Sequence, residues 1–117
     1  MKGNDIYRRV LSLLGYLNSD IVIAGEQNLL KRVEDIINQI CIDLKIPQIK
    51  LLSDEIKATS EAVEALCYGA AMLMALQDGD GVKNELFAQI YNSKRAAVLS
   101  KKETVEDKLP FVSYGVD

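Results

Sequence analysis

The fold of this chain is decided by one apolar stretch, Ala65-Leu66-Cys67-Tyr68-Gly69-Ala70-Ala71-Met72-Leu73-Met74-Ala75-Leu76. The stretch is too short to cross a membrane, which takes about 20 apolar residues. A helix that is apolar on every side must be covered on every side. We therefore expect a helix over 60–77 at the centre of an all-α domain, with Gly69 admitting the close approach of another helix.

A sharp turn follows this helix at Asp78-Gly79-Asp80-Gly81. Gly79 suits the left-handed position that ends a helix, and Asp80 suits the N-cap of the next one. The next helix is expected over 81–100, with Val82, Leu86, Ile90 and Ala97 in one row and Phe87, Tyr91 and Val98 in the row beside it. The pattern predicts a tight antiparallel helical hairpin.

Two more helices are predicted upstream of the hairpin. Apolar residues at helical spacing predict a helix over 4–17, capped by Asn4 or Asp5 and ended by Asn18-Ser19-Asp20. A wide apolar stripe predicts a helix over 26–44, which Pro47 stops. Residues 46–58 are a connector with room for a short extended piece, and Ser53-Asp54-Glu55 is typical of a turn or a helix start. The fold class is thus a four-helix all-α domain over 1–100.

Residues 101–117 are predicted to form an extended C-terminal arm. A charged hinge over 101–108 should remain solvated, and Pro110 excludes a helix interior after it. The arm carries four apolar side chains that are candidates for binding a partner: Leu109, Phe111, Val112 and Tyr114. The arm docks on a neighbour or folds back on its own domain.

The composition argues against an enzyme. The chain has no histidine, the usual general base and metal ligand, and it contains none of the common catalytic motifs. Asp78-Gly79-Asp80 resembles the opening of a calcium loop, but Val82 and Lys83 stand where that loop needs an acid and a glycine. We therefore expect no catalytic, cofactor or metal site.

Composition also bears on the other partners and on the compartment. The net charge is −3 and there is no basic stripe, which argues against nucleic acid as the main ligand. With no signal peptide pattern, the expected compartment is a cytoplasm. Cys41 and Cys67 are expected to be small buried hydrophobes, since a disulfide needs an oxidising compartment. Tyr68 and Tyr91 are expected to be buried with satisfied hydroxyls.

The stretch from Ala65 to Ala97 resembles the small head–tail connector (adaptor) proteins of tailed bacteriophages. In that family a tyrosine-glycine-alanine helix ends at a glycine-aspartate turn, and the next helix carries an aromatic row that ends in a Tyr-x-x-Lys-like segment. The matching features of this sequence are Tyr68-Gly69-Ala70, Gly79-Asp80, Phe87, Tyr91 and Lys94-Arg95. The motif is structural, and it covers about a third of the chain.

The resemblance implies a structural protein of the virion neck. It implies a ring of about a dozen copies that joins the portal of a filled capsid to tail proteins. DNA would pass through the ring without being read, and the C-terminal arm would reach a neighbouring copy. The implied location is the virion neck, or the bacterial cytoplasm if a prophage expresses the chain.

Two other classes of function fit the same pattern. One is a small cytosolic helical module that binds a partner or regulates it as a homodimer. The other is a toxin–antitoxin or enzyme-accessory subunit. Portal, terminase and capsid genes beside the coding sequence would favour the connector, and their absence would favour these alternatives.

Overall fold

The computed structural model describes residues 1–15 and 26–108, without the side chains of 26–29 and 102–108. Within these ranges the chain forms four helices: α1 (Gly3–Leu13), α2 (Glu26–Leu44), α3 (Ser60–Gln77) and α4 (Gly81–Lys108). The described part contains no strand, only an isolated antiparallel bridge between Lys2 and Glu55. The all-α fold class is therefore confirmed.

Helix α1 is shorter than expected. It ends at Leu13 because Gly15 takes φ +85°, the left-handed conformation that commonly terminates a helix. Its start also differs, since Asp5 lies inside the helix and accepts a hydrogen bond from the Lys2 backbone N–H at 2.9 Å. The predicted end at 17 and the Asn18-Ser19-Asp20 signal fall outside the described residues.

Helix α2 has the predicted bounds. It ends where Lys45 takes φ +60°, two residues before Pro47. The connector is tied to α2 by Asn38, whose side chain donates to the Ile49 carbonyl and accepts from the Ile49 N–H, both at 2.8 Å. The Asp54 carboxylate accepts from the Lys50 and Leu51 N–H groups, so this segment is a turn and not the start of a helix.

Helix α3 is central, as its sequence predicts, and packs against α1, α2 and α4. Its buried residues include Leu66, which is 0% exposed, and Met74, which is 2% exposed. The expectation that it is covered on every side is wrong at its last turn, where Leu76 is 60% exposed.

Helix α4 is longer than predicted and continues to Lys108 instead of ending near Ser100. The charged segment 101–108 is therefore helical, although the sequence suggested a non-helical hinge. An ion pair between Lys101 and Glu61 ties its first residue to the start of α3. The strongest stop signal is Pro110, which disfavours helical geometry in the residue before it.

The helices give the domain two distinct ends. One end, the tip, is the turn Asp78–Gly81. There Lys83 Nζ donates to the Leu14 carbonyl at 2.6 Å, and Arg32 Nη2 lies 3.5 Å from Asp78 Oδ1. The base is the connector 46–58 packed on the N-terminus, where Gly3 N–H donates to the Asp54 carbonyl at 3.1 Å. Both α1 and α3 therefore run from base to tip, and α2 and α4 run back. None of the helices described has the length and apolar character of a membrane span.

Candidate assembly surface

The tip has the geometry that its sequence predicts. Gly79 takes φ +77°, and the N–H groups of Gly79 and Asp80 donate to the Leu76 and Ala75 carbonyls at 3.1 and 2.9 Å. This is the Schellman arrangement that ends a helix at a glycine. Asp80 then caps α4, accepting from the Lys83 N–H at 3.1 Å. The tip is thus a rigid corner that fixes how α3 and α4 meet.

Gly69 lies at the junction of three helices. A Cβ atom placed on it would lie 2.8 Å from Tyr91 Cε1 on α4 and 2.9 Å from Ile40 Cγ2 on α2. Side-chain carbon atoms do not approach this closely without one of them moving. The close approach that the sequence analysis assigned to Gly69 is confirmed.

Tyr91 also belongs to a polar cluster of Asp43, Tyr91 and Arg95, which we call the Asp43 cluster. The Tyr91 hydroxyl donates to Asp43 Oδ2, and Arg95 Nε donates to the same oxygen at 2.8 Å. Tyr91 is 3% exposed, so the ring is buried while its hydroxyl meets a partner, as expected. The cluster joins α2 to α4 across the edge of the core.

Electrostatics keep the Asp43 cluster in one charge state. Burial raises the pKa of the Asp43 carboxyl. Its hydrogen bonds from Tyr91 and Arg95, together with the positive charge of Arg95, lower the pKa by more, so the net pKa lies below its ordinary value. Burial, followed by the hydrogen bond to Asp43, raises the pKa of the Tyr91 phenol. At neutral pH the carboxylate is therefore ionised and the phenol protonated, which suits a structural link and not a proton-transfer site.

Tyr68 and Phe87 form the outer part of the same hairpin contact. Their ring centroids lie 6.1 Å apart with the planes at 47°, a favourable tilted arrangement. Lys94 Nζ lies 5.3 Å from the Tyr68 centroid, within cation–π range. Tyr68 is only half-buried, so the expectation of a buried ring holds for Tyr91 but not for Tyr68.

Apolar side chains are exposed on the parts of α3 and α4 that flank the turn, and the tip is taken below to include them. Leu76 is 60% exposed, Val82 81% and Leu86 52%. Val82 and Leu86 are four residues apart and so neighbours on one face of α4. Of the two predicted rows on α4, that of Phe87, Tyr91 and Val98 is buried. In the row that begins with Val82, three members are exposed and Ile90 is partly buried against the core. Neighbouring exposed apolar side chains are typical of an interaction surface.

The base carries a second set of exposed apolar side chains. Leu51, in the connector, is 58% exposed, and Met1 is 50% exposed. Backbone hydrogen bonds from Asn4 N–H to Leu52 and from Ile56 N–H to Met1 hold both segments together, at 2.8 Å each. The described part of the chain therefore presents apolar groups at opposite ends, one set on α3 and α4 and another beside the N-terminus, and Ile42 on α2 is a further exposed apolar side chain.

The arm residues predicted to bind a partner, Leu109, Phe111, Val112 and Tyr114, lie outside the described residues. The predicted hairpin residues, in contrast, fall into two groups: Tyr68, Gly69, Phe87 and Tyr91 lie at the contact between α3 and α4, and Gly79 and Asp80 form the turn at the tip. The sequence did not identify Asp43 as a partner of Tyr91 and Arg95. The only sequence signal was that Asp43 lies on the polar side of α2, which does not identify a partner 52 residues away.

A cavity of about 310 Å³ lies between α1 and the start of α3, beside Arg9, Glu64 and Cys67. Its two charged groups pair with each other, Arg9 Nη2 lying 2.9 Å from Glu64 Oε1. Burial raises the pKa of the Cys67 thiol to about 11, and burial also raises that of Cys41 to about 11. Both cysteines are free, as expected, and are protonated at neutral pH. Among the described residues, no three acidic or cysteine side chains are placed to hold a metal ion.

Comparison with known proteins returned no relative. No protein-family model, curated protein or solved structure matches the chain.

Proposed function

We propose that this chain is a structural subunit of a bacteriophage neck, assembling into a ring that joins the portal of a filled capsid to the tail. The resemblance to head–tail connectors covers Ala65 to Ala97, which is the α3–α4 hairpin and its tip. Copies of the chain, the portal protein and tail proteins are the proposed partners. DNA is proposed to pass through the ring unread, and the site of action to be the virion neck.

The observation that carries the proposal is the pair of apolar surfaces at opposite ends of the domain. A ring requires head-to-tail contacts, in which one surface of each copy meets a different surface of the next. The tip offers Leu76, Val82 and Leu86, and the base offers Met1 and Leu51. A domain with two separated apolar surfaces can therefore add a neighbour at each end.

The rigidity of the hairpin supports the same proposal. The Schellman corner at Gly79, the Gly69 junction and the Asp43 cluster each fix α4 on the rest of the domain. Subunits of a closed ring must repeat one rotation accurately, and a stiff domain achieves this better than a hinged one. No arrangement among the described residues favours the enzyme-accessory or toxin–antitoxin alternatives.

The experiment mixes two variants of the full chain in the presence of the portal protein encoded in the same genome. Val82→Asp should disable the tip, and Leu51→Asp should disable the base. Each variant alone should fail to form rings in electron micrographs. An equal mixture should form a two-chain species, because each variant retains one intact surface.

Gln39→Asp is the matched control, since Gln39 is exposed on α2 and belongs to neither end. This variant should form rings as the unmodified chain does. Rings that persist in both Val82→Asp and Leu51→Asp would contradict the head-to-tail proposal.

A further inference from the structure

The outer face of α4 carries a heptad pattern that the hairpin does not use. Its six residues follow each other at alternating steps of four and three, and all six are exposed: Val82, Leu86, Gln89, Ser93, Ala96 and Ser100. Such a repeat places every member on one side of a helix, facing a partner helix in left-handed packing. We call this face the seam.

The seam is uncharged, which is unusual for a solvent-facing helix surface. The three basic residues of α4 between Val82 and Ser100 have partners within the same chain. Lys83 Nζ donates to the Leu14 carbonyl, Lys94 lies over the Tyr68 ring, and Arg95 binds Asp43. None of the six seam side chains is charged, so burying them removes no charge from water, and Glu85 is the exposed charged residue at the edge of the seam.

We propose that the seam packs against the seam of a second copy of this chain, with the two α4 helices antiparallel. The N-terminal half of the seam carries the larger side chains, Val82, Leu86 and Gln89. The C-terminal half carries only serine and alanine. An antiparallel pair aligned over the whole seam places Val82 opposite Ser100, Leu86 opposite Ala96 and Gln89 opposite Ser93 of the second copy.

Size complementarity selects this orientation. Each facing pair then combines one large and one small side chain, so one interhelical distance fits the entire seam. A parallel pair would oppose leucine to leucine at one end and serine to serine at the other. Because interhelical distance follows side-chain size over about 8–10 Å, a parallel pair would have to splay.

Phe111, the largest apolar residue of the chain's own C-terminal arm, is too close to the end of α4 to reach the apolar half of the seam. Along α4, Leu86 lies 22 residues before Lys108, which is about 33 Å of helix. Phe111 follows Lys108 by three residues, which reach at most about 10 Å. A second copy, in contrast, supplies side chains of complementary size along the whole seam.

The pair is expected to be weak. The seam from Val82 to Ser100 is about 28 Å long and about 10 Å wide, so its footprint is well below the roughly 800 Å² per partner of a stable interface. A dimer of this kind exchanges subunits, and the fraction of chains that are paired depends on the protein concentration. Val82 and Leu86 also belong to the tip, so one copy cannot use them for the antiparallel pair and for the ring contact at the same time. The proposal of the antiparallel pair does not depend on ring formation.

The test is disulfide cross-linking of the full chain at high concentration. Leu86→Cys and Ala96→Cys are prepared separately, oxidised alone and as a mixture, and resolved on a non-reducing gel. The two positions are about 15 Å apart along one helix, and a disulfide requires Cα atoms within about 7 Å. The antiparallel pair therefore predicts a cross-linked dimer in the mixture and none with either variant alone.

The unmodified chain is the background control, because Cys41 and Cys67 are both buried. Removing residues 109–117 should leave the cross-link unchanged.

Self-cross-linking of Leu86→Cys alone would overturn the antiparallel arrangement in favour of a parallel one. No cross-link in the mixture would overturn the pair. Loss of the cross-link on truncation would overturn it in favour of the arm as occupant.

Discussion

Tyr91 of α4 reaches across α3 at the one position where α3 has no side chain. A Cβ at Gly69 would lie 2.8 Å from Tyr91 Cε1 and 2.9 Å from Tyr91 Cδ1. The ring cannot easily retreat, because its hydroxyl is bound to Asp43 on α2. Glycine costs about 1 kcal/mol of helix stability relative to alanine, and this contact explains why the helix tolerates it.

The first prediction concerns that contact. Gly69→Leu should lower the free energy of unfolding by roughly 1–3 kcal/mol or more, because the added atoms overpack the junction. Gly81→Ala is the matched control, since a Cβ there meets nothing within 4 Å. It should be neutral or slightly stabilising. Chemical denaturation measures both, and a midpoint that rises in Gly69→Leu would exclude the packing role.

The second prediction concerns the Asp43 cluster. Asp43→Asn and Tyr91→Phe should each lower the free energy of unfolding by about 1 kcal/mol, the net worth of a partly exposed hydrogen bond. For a domain of this size that is a fall of roughly 4–8 °C in melting temperature. The double variant should cost less than the sum of the two single changes. Asp35→Asn, at an exposed site on the same helix, should change the free energy of unfolding little. Additive costs in the double variant would mean that Asp43 and Tyr91 act independently.

The third prediction is a pH dependence with a definite sign. The pKa of Asp43 is lowered on folding, so its contribution is present above the ordinary carboxyl pKa of about 3.9 and is lost as pH falls through the lower folded value. The gap in melting temperature between the unmodified chain and Asp43→Asn should therefore be full near about pH 6 and narrow below about pH 4. A gap that widens in acid would show that the carboxylate is not stabilised by folding.

The sequence predicted the hairpin well because its signals are local. The apolar run of α3, the glycine at the αL position of the tip and the cap at Asp80 each act within a few residues. The same is true of α2, whose bounds were predicted correctly. Gly69 could be assigned to a close contact because glycine destabilises the interior of a helix, and close packing of another helix accounts for its presence.

The errors about which side chains pair and which are buried came from interactions between distant parts of the chain. Arg95 and Asp43 are 52 residues apart, and nothing in their local patterns pairs them. The α4 residues Val82 and Phe87 belong to neighbouring apolar rows, and only tertiary packing decides which row is buried. The end of α4 was misplaced because a run of charges was taken as a boundary, although charged residues form helices readily and Pro110 gave the stronger stop signal.

The fourth prediction concerns the arm. Deleting residues 109–117 should leave helix content and melting temperature nearly unchanged while abolishing ring assembly or portal binding, if Phe111 and its apolar neighbours bind another copy. If the arm instead packs on its own domain, the deletion uncovers core and lowers the melting temperature by several degrees, at roughly 4–8 °C per kcal/mol. Circular dichroism and electron microscopy of the same preparation separate the two. A truncated chain that melts much earlier yet assembles normally would exclude the assembly role.

The most direct measurement of the central proposal is native mass spectrometry of the full chain, mixed with the portal protein encoded in the same genome. The proposed function predicts one dominant complex in which a fixed number of copies, equal to the symmetry of a closed ring, is bound to the portal. Electron micrographs of that complex should show the ring beneath the portal and coaxial with its channel. A chain that remains monomeric or dimeric beside an unoccupied portal, at concentrations where the portal is intact, would contradict the proposal.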